Sequence, residues 1–173
     1  MTIAELLEDA FGRVHDTVHQ AVDGLTPGQL AFRPESGANS IAWLVWHLAR
    51  IQDDHIADVA GTGQVWTSTR DVPSWADRFG LPFAASATGY GHGSEAVAAV
   101  QVESGELLTG YYDAVHEETL RYVAGLTDAD LDRIVDKAWD PPVTLGVRLV
   151  SVINDDLQHA GQAAYLRGII ERG

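Results

Sequence analysis

An aspartate and a histidine near the carboxyl terminus are the first candidates for chemistry in this sequence. Asp155 and His159 stand four residues apart in a predicted helix, so both side chains project from one face and can hold a single metal ion. Apolar residues on the same face indicate that it points to the core, where a carboxylate is costly unless it is paired or ligates a cation. A simple hydrogen-bonded Asp–His pair is the alternative interpretation.

A third candidate ligand, His47, lies in the most apolar part of the chain. Its neighbours are Trp43, Leu44, Val45, Trp46 and Leu48. A buried imidazole needs partners for two ring nitrogens, and a hydrogen bond to a neighbouring helix would satisfy that need. If this helix packs beside the one that carries Asp155 and His159, the three side chains form a 2-His-1-carboxylate set. Three protein ligands with open positions are typical of catalytic metal sites.

Other histidines carry weaker signals. His15, His19 and His116 fall among charged residues of amphipathic helices, and we expect them to face solvent. His55 follows His47 on the same predicted helix, about 80° further round the axis. We interpret His55 as a packed or interhelical polar residue.

Four long helices are predicted to position these residues. Apolar residues recur at three- and four-residue steps near residues 3–23, 40–60, 94–124 and 144–171, which is the period of a helical face. The motif Gly-Leu-Thr-x-x-x-Leu occurs twice, from Gly24 and from Gly125, each time after a long helix. Two helix pairs of similar plan would form a four-helix bundle. The alternative is that both copies are ordinary helix ends.

A long insertion, residues 61–93, separates the second and third predicted helices. It is rich in glycine and aromatic residues and shows no strand pattern, and loops of this length in a compact domain are usually functional or mobile. We expect it to pack across the bundle and to cover the open side of a metal site. Arg78 or Arg70 would then meet a substrate carboxylate, with an ordinary surface arginine as the alternative.

Composition bounds the remaining possibilities. The chain has 173 residues, of which 46% are hydrophobic and 21% charged, and this predicts one globular domain over residues 1–173. There are no cysteines, which excludes disulfides, thiolate metal sites and a cysteine nucleophile. A net charge of −14 opposes binding to nucleic acid or anionic lipid. No apolar run could span a membrane, and the acidic start is unlike a signal peptide, so we expect a cytoplasmic protein.

Two sequence blocks carry a family resemblance. The first is SIAWLVWHLA, residues 40–49, and the second is DDLQHAGQAAYLRG, residues 155–168. Both resemble the DinB-like superfamily of four-helix bundles, which includes mycothiol- and bacillithiol-dependent metal enzymes. The resemblance implies an all-α bundle whose divalent metal is held by His47, Asp155 and His159. Asp155 departs from the pattern that this resemblance implies. Many relatives have His at the corresponding position, and the pattern of the mycothiol-dependent maleylpyruvate isomerases is similar to Glu-x-x-x-His.

The resemblance implies a metal-dependent enzyme of the thiol-transferase or isomerase type. Zinc fits His and carboxylate ligands best, with nickel, iron or manganese as alternatives. Because the chain has no cysteine, a mycothiol-like thiol would have to come from outside and react with a small electrophilic substrate. A metal-dependent hydrolase and a non-catalytic metal- or ligand-binding bundle are the alternatives. We also expect a homodimer that pairs through helix faces.

Overall fold

Helices carry most of the chain, and four of them are long, as the apolar periodicity predicts. The fold is described here from a computed structural model, which covers residues 1–70 and 72–173. In chain order the helices are α1 (Ile3–Val22), α2 (Pro27–Leu30), α3 (Ile41–Ala60), α4 (Trp75–Phe79), α5 (Ser94–Ala99), α6 (Gly105–Val123), the 3₁₀ helix η1 (Asp128–Asp132) and α7 (Leu145–Ile170). The predicted all-α fold class is confirmed.

The four long helices form a bundle in which each contacts two neighbours closely. Helix α1 packs against α6 and α7, and α3 packs against the same two helices from the other side. The order round the bundle is therefore α1, α7, α3, α6. This arrangement places the α1/α6 interface and the α3/α7 interface on opposite sides. No helix within the described ranges is long and apolar enough to cross a membrane.

Helix α3 is the central helix, as its apolar sequence predicts. Every residue from Ile41 to Arg50 is buried, because neighbouring elements cover this half of the helix on all sides. The hydroxyl of Ser40 caps the helix by accepting a hydrogen bond from the Trp43 backbone N–H at 3.1 Å. Because His47 belongs to this buried half of α3, it lies inside the bundle, on the side that faces α7.

The prediction of one continuous helix over residues 94–124 is wrong at residues 100–104, which separate α5 from α6. The chain leaves helical geometry at Val100, whose φ and ψ are −79° and 93°. Val100 and Val102 are buried while Gln101 and Glu103 are exposed, which is the alternation of an extended segment. The apolar contacts of these two valines with the core therefore outweigh the helical preference of the surrounding sequence.

Helix α6 can start close to α1 because its first residue is glycine. A Cβ atom on Gly105 would lie 2.7 Å from Cγ1 of Val22, which is shorter than any ordinary contact. Glycine at this position, inside the predicted helix over residues 94–124, would be expected to weaken that helix. In the structure it instead allows the amino end of α6 to meet the carboxyl end of α1.

A small antiparallel sheet precedes α7 and is absent from the sequence-based prediction. Strand β1 (Ile134–Asp136) pairs with β2 (Val143–Thr144), with Ile134 opposite Thr144 and Asp136 opposite Val143. Strands this short carry too few residues for a period-two signal. The expectation that no sheet would be present is therefore wrong at this hairpin, although the class of the fold is unchanged.

The described part of the insertion, residues 61–70 and 72–93, packs on the bundle, as expected. Trp66 is 3% exposed and its ring lies 5.0 Å from that of Tyr111 on α6. The carboxylate of Asp53 on α3 accepts hydrogen bonds from the backbone N–H groups of Val65 and Trp66, both at 2.8 Å. These bonds attach the start of the insertion to α3.

A buried arginine attaches the later part of the insertion. Arg50 is fully buried and its guanidinium donates to the backbone carbonyls of Ala87 at 3.1 Å and Ala85 at 3.4 Å. The same group lies 3.4 Å from the Asp53 carboxylate. Arg50 and Asp53 thus connect both ends of the insertion to one turn of α3, next to His47.

Candidate metal centre

The three side chains that the sequence analysis singled out lie together at the α3/α7 interface. One donor atom from each of His47, Asp155 and His159 lies within 4.8 Å of the others. Nε2 of His159 is 3.6 Å from Oδ1 of Asp155. Two ligands of a tetrahedral ion with bonds near 2.1 Å lie about 3.4 Å apart. Small side-chain rotations would therefore bring the three donors to one ion.

Both imidazoles have an oxygen atom beside their second ring nitrogen. Nδ1 of His47 lies 2.5 Å from the carbonyl oxygen of Thr88, and Nδ1 of His159 lies 3.2 Å from Oε1 of Gln162. Each oxygen can accept the proton of Nδ1, and in that tautomer Nε2 of each ring would be available to a metal ion. This arrangement is typical of metal-ligating histidines, whose orientation and tautomer are set by such a partner.

Burial favours the neutral form of His47. The ring is 5% exposed and stacks on Trp43 with centroids 4.6 Å apart. Burial is the largest influence and lowers the pKa of His47; the Thr88 hydrogen bond opposes it, and His159 adds to it. A neutral imidazole is the form that binds a metal ion.

One carboxylate oxygen of Asp155 is placed as expected for a carboxylate that binds a cation. Its Oδ2 atom is buried and, among the described residues, has no hydrogen-bond partner. Leaving a carboxylate oxygen in this state is costly unless a positive charge compensates it. Asp155 also keeps 35% of its side chain exposed, so the site is open to solvent on this side. The donor set and the orphaned oxygen both fit a divalent metal.

Comparison with known proteins identifies the family of this chain. Residues 10–163 match the DinB superfamily. The chain belongs to the DinB superfamily. A crystal structure from Enterococcus faecalis, described as that of the conserved protein of locus, has a TM-score of 0.90 and 30% identity to this chain. The match covers 100% of this chain and 99% of that one. No curated protein matches.

The DinB resemblance does not reveal the segment that covers His47 in this chain. Gly89 has a φ of +94°, and a Cβ there would lie 2.7 Å from Nδ1 of His47. Only glycine lets the backbone pass this close with Thr88 aimed at the ring. The available sequence signal is the glycine at every second position from Gly89 to Gly93. Sequence reasoning missed both Thr88 and Gly89.

Gly89→Ala is expected to destabilise the protein and disturb the metal centre. The positive φ costs about 1–3 kcal/mol for a residue with a side chain, and the clash with His47 adds about 1–3 kcal/mol. Gly91→Ala is the matched control, because Gly91 has a φ of +76° with nothing within 4 Å of its Cβ position. Urea denaturation and zinc titration of both variants test this. Equal losses of stability and of zinc affinity would contradict a specific contact with His47.

Trp43 packs against the candidate ligands His47 and His159, and His92 is hydrogen-bonded to Trp43. The indole N–H of Trp43 donates to Nδ1 of His92 at 3.2 Å, while the indole ring contacts His47 by stacking and His159 edge-on. His92 belongs to the insertion and was not identified from the sequence. Through Trp43 it restrains the orientation of both imidazole ligands.

The arginines proposed for a substrate carboxylate lie elsewhere. Arg78 donates to the Pro73 carbonyl at 2.9 Å and its guanidinium lies over the Trp75 ring at 4.5 Å. Arg70 is 86% exposed and lies 3.6 Å from Glu118. None of these contacts involves the metal centre, and the substrate-binding role of Arg78 stays a prediction.

The structure also reassigns several polar residues. His55 is interhelical, as predicted, and faces Arg148 of α7 across 2.6 Å. The expectation that His116 faces solvent is wrong, because its Nδ1 is buried and burial, reinforced by His15, lowers the pKa of His116 to about 4. Asp156, not singled out from the sequence, is fully buried, and burial raises its pKa well above the usual range.

Proposed function

We propose that this protein is a metal-dependent enzyme that binds one divalent cation, best matched by zinc, through His47, Asp155 and His159. The observation that carries the proposal is the convergence of three donor atoms within 4.8 Å with both imidazoles held by oxygen acceptors. Two nitrogens and one carboxylate oxygen are a donor set that zinc accepts, and three protein ligands leave positions for other molecules.

We propose further that the second reactant is a low-molecular-weight thiol of the mycothiol type, used for conjugation or isomerisation of a small electrophile. A divalent ion at this site would lower the pKa of a coordinated thiol. The chain contains no cysteine, so the sulfur has to come from a separate molecule. Thr88 and Gln162 hold the imidazole protons away from the centre, and Asp155 adds the negative charge.

A neighbouring groove supports a small-molecule substrate. It has a volume of about 790 Å³ and lies between residues 34–39 and α7, with Gln158, Gln162 and Tyr165 on its wall. This volume is in the range of small-molecule sites, about 300–1,000 Å³. Gln162 also contacts His159, so the groove adjoins the metal centre.

The homodimer remains a proposal, supported by the exposed Val147 and Val150 on α7.

The thiol proposal is tested with cobalt(II) in place of zinc. Adding mycothiol, bacillithiol or glutathione to the cobalt-loaded protein is expected to produce a near-ultraviolet sulfur-to-cobalt band with at least one thiol. His47→Ala combined with Asp113→Asn should show no such band, whereas Asp113→Asn alone should keep it. Asp113→Asn removes a ligand from a second group of metal-ligating side chains, His15, His19 and Asp113, which could otherwise bind cobalt.

Two other results would contradict thiol chemistry. Thiol-independent hydrolysis of an ester or amide, without a sulfur band, would identify a metal-dependent hydrolase instead. Cobalt binding with neither a sulfur band nor turnover would indicate a non-catalytic metal-binding bundle.

A further inference from the structure

A second group of metal-ligating side chains lies on the opposite side of the bundle, at the α1/α6 interface. One donor atom from each of His15, His19 and Asp113 lies within 4.8 Å of the others. His15 and His19 occupy one face of α1, and Asp113 faces them from α6. None of these residues contributes to the centre at the α3/α7 interface.

Both imidazoles direct the same nitrogen to the same carboxylate oxygen. Nε2 of His15 is 2.9 Å and Nε2 of His19 is 2.6 Å from Oδ1 of Asp113. Two N–H donors on one oxygen would satisfy the geometry without an ion. In a shared tetrahedral site each nitrogen would lie about 3.4 Å from that oxygen. Separations wider by about 0.5 Å for His15 and about 0.8 Å for His19 would therefore let one cation bind all three atoms.

Aromatic contacts hold the ring of His15 in place. His116 stacks against it with centroids 4.5 Å apart, and Tyr112 stacks at 5.9 Å. Asp16 lies 3.7 Å from Nδ1 of His15, which adds negative charge beside its second nitrogen. Supporting groups around a ligand ring are a regular feature of metal sites.

The group is also accessible from solvent. The side chains of His15, His19 and Asp113 are 28%, 39% and 48% exposed. An ion could therefore enter without rearrangement of the core, and solvent could complete its coordination. The net charge of −14 favours cations near this surface.

We propose that His15, His19 and Asp113 bind a second divalent transition-metal ion of the zinc class, independently of the centre at His47, Asp155 and His159. Three protein ligands and solvent make this an exchangeable site rather than a closed structural one. The protein accordingly has two metal sites of the same donor type, one at each of two opposite helix interfaces.

Zinc stoichiometry tests the proposal on the full chain. The protein is purified without a metal-affinity tag, stripped with a chelator, dialysed against buffered Zn²⁺ and analysed by mass spectrometry of its metal content. We expect two zinc ions per chain in the wild type and one in Asp113→Asn or His19→Ala. His159→Ala should also retain one, and His159→Ala combined with Asp113→Asn should retain none.

A matched control separates a specific site from general loss of charge. Glu117→Gln removes one carboxylate from α6, one turn from Asp113, where Glu117 pairs with Arg121 at 2.9 Å; it should keep two zinc ions. A single ion in the wild type that His159→Ala removes would overturn the second site and leave the first intact. Two ions retained in Asp113→Asn and His19→Ala would overturn it as well. Far-ultraviolet circular dichroism confirms that each variant is folded.

Discussion

His159→Ala is expected to weaken zinc binding at the α3/α7 interface by more than about 100-fold, since loss of a supporting partner alone costs about 10–100-fold. The site has three protein ligands, and His159 supplies one of its two nitrogens. Its partner Gln162 would lose the ring that it orients. Asp155 and His47 alone would then hold the ion.

This prediction is measured by zinc competition against a chromophoric chelator, in an Asp113→Asn background that disables the second site. His116→Ala in the same background is the control, because it removes an imidazole that lies beside α1 and away from His47. Its zinc affinity should stay within about threefold of the background. Equal losses in the two variants would show that the wrong histidines have been assigned.

Asp53→Ala is expected to lower the free energy of unfolding by about 3–5 kcal/mol, the usual cost of removing one partner of a buried ion pair. Arg50 would remain fully buried without its carboxylate. The backbone N–H groups of Val65 and Trp66 would lose their acceptor, and the Tyr111 hydroxyl, now 2.8 Å from the carboxylate, would lose its own.

The loss should extend to the metal centre, because Arg50 donates to the Ala87 carbonyl and Thr88 follows directly. Urea denaturation and zinc titration measure the two effects. Asp58→Ala, on the exposed side of α3, is the control and should change stability by less than about 0.5 kcal/mol. Arg50→Met combined with Asp53→Ala should recover part of the loss, since no unpaired charge remains buried. A loss below about 1 kcal/mol in Asp53→Ala would contradict the anchoring role.

The sequence by itself determined the long helices and the three residues of the candidate centre. Helical periodicity and capping residues are local properties. Ser40 and Thr26 are residue types that favour helix N-caps, and the hydroxyl oxygen of each accepts a hydrogen bond from the backbone N–H three residues further on. His47 stood out because it lies in an apolar segment, and Asp155 and His159 because one helical turn places them side by side. The DinB-like motifs at residues 40–49 and 155–168 indicated that the histidine of one helix and the Asp–His pair of the other belong to one metal site.

Only the tertiary structure decided which distant residues meet. The contacts of His15 and His19 with Asp113 span 98 and 94 positions in the sequence, and each histidine on its own has the pattern of a surface residue. Thr88 and Gly89 reach His47 through a loop whose path depends on Arg50 and on packing. Side-chain periodicity carries no information about such paths.

The dependence on tertiary contacts also explains two errors in the helix predictions, one in burial on α7 and one in the extent of the third predicted helix. Asp155 and Asp156 differ by one step of about 100° round the axis, so the rotation of α7 against α1 and α3 decides which carboxylate is fully buried. The fully buried one is Asp156. The break between α5 and α6 likewise follows from the burial of Val100 and Val102. Local patterns specify the faces of an element, whereas the free energy of packing selects its rotation, its ends and its partners, and that energy depends on the whole chain.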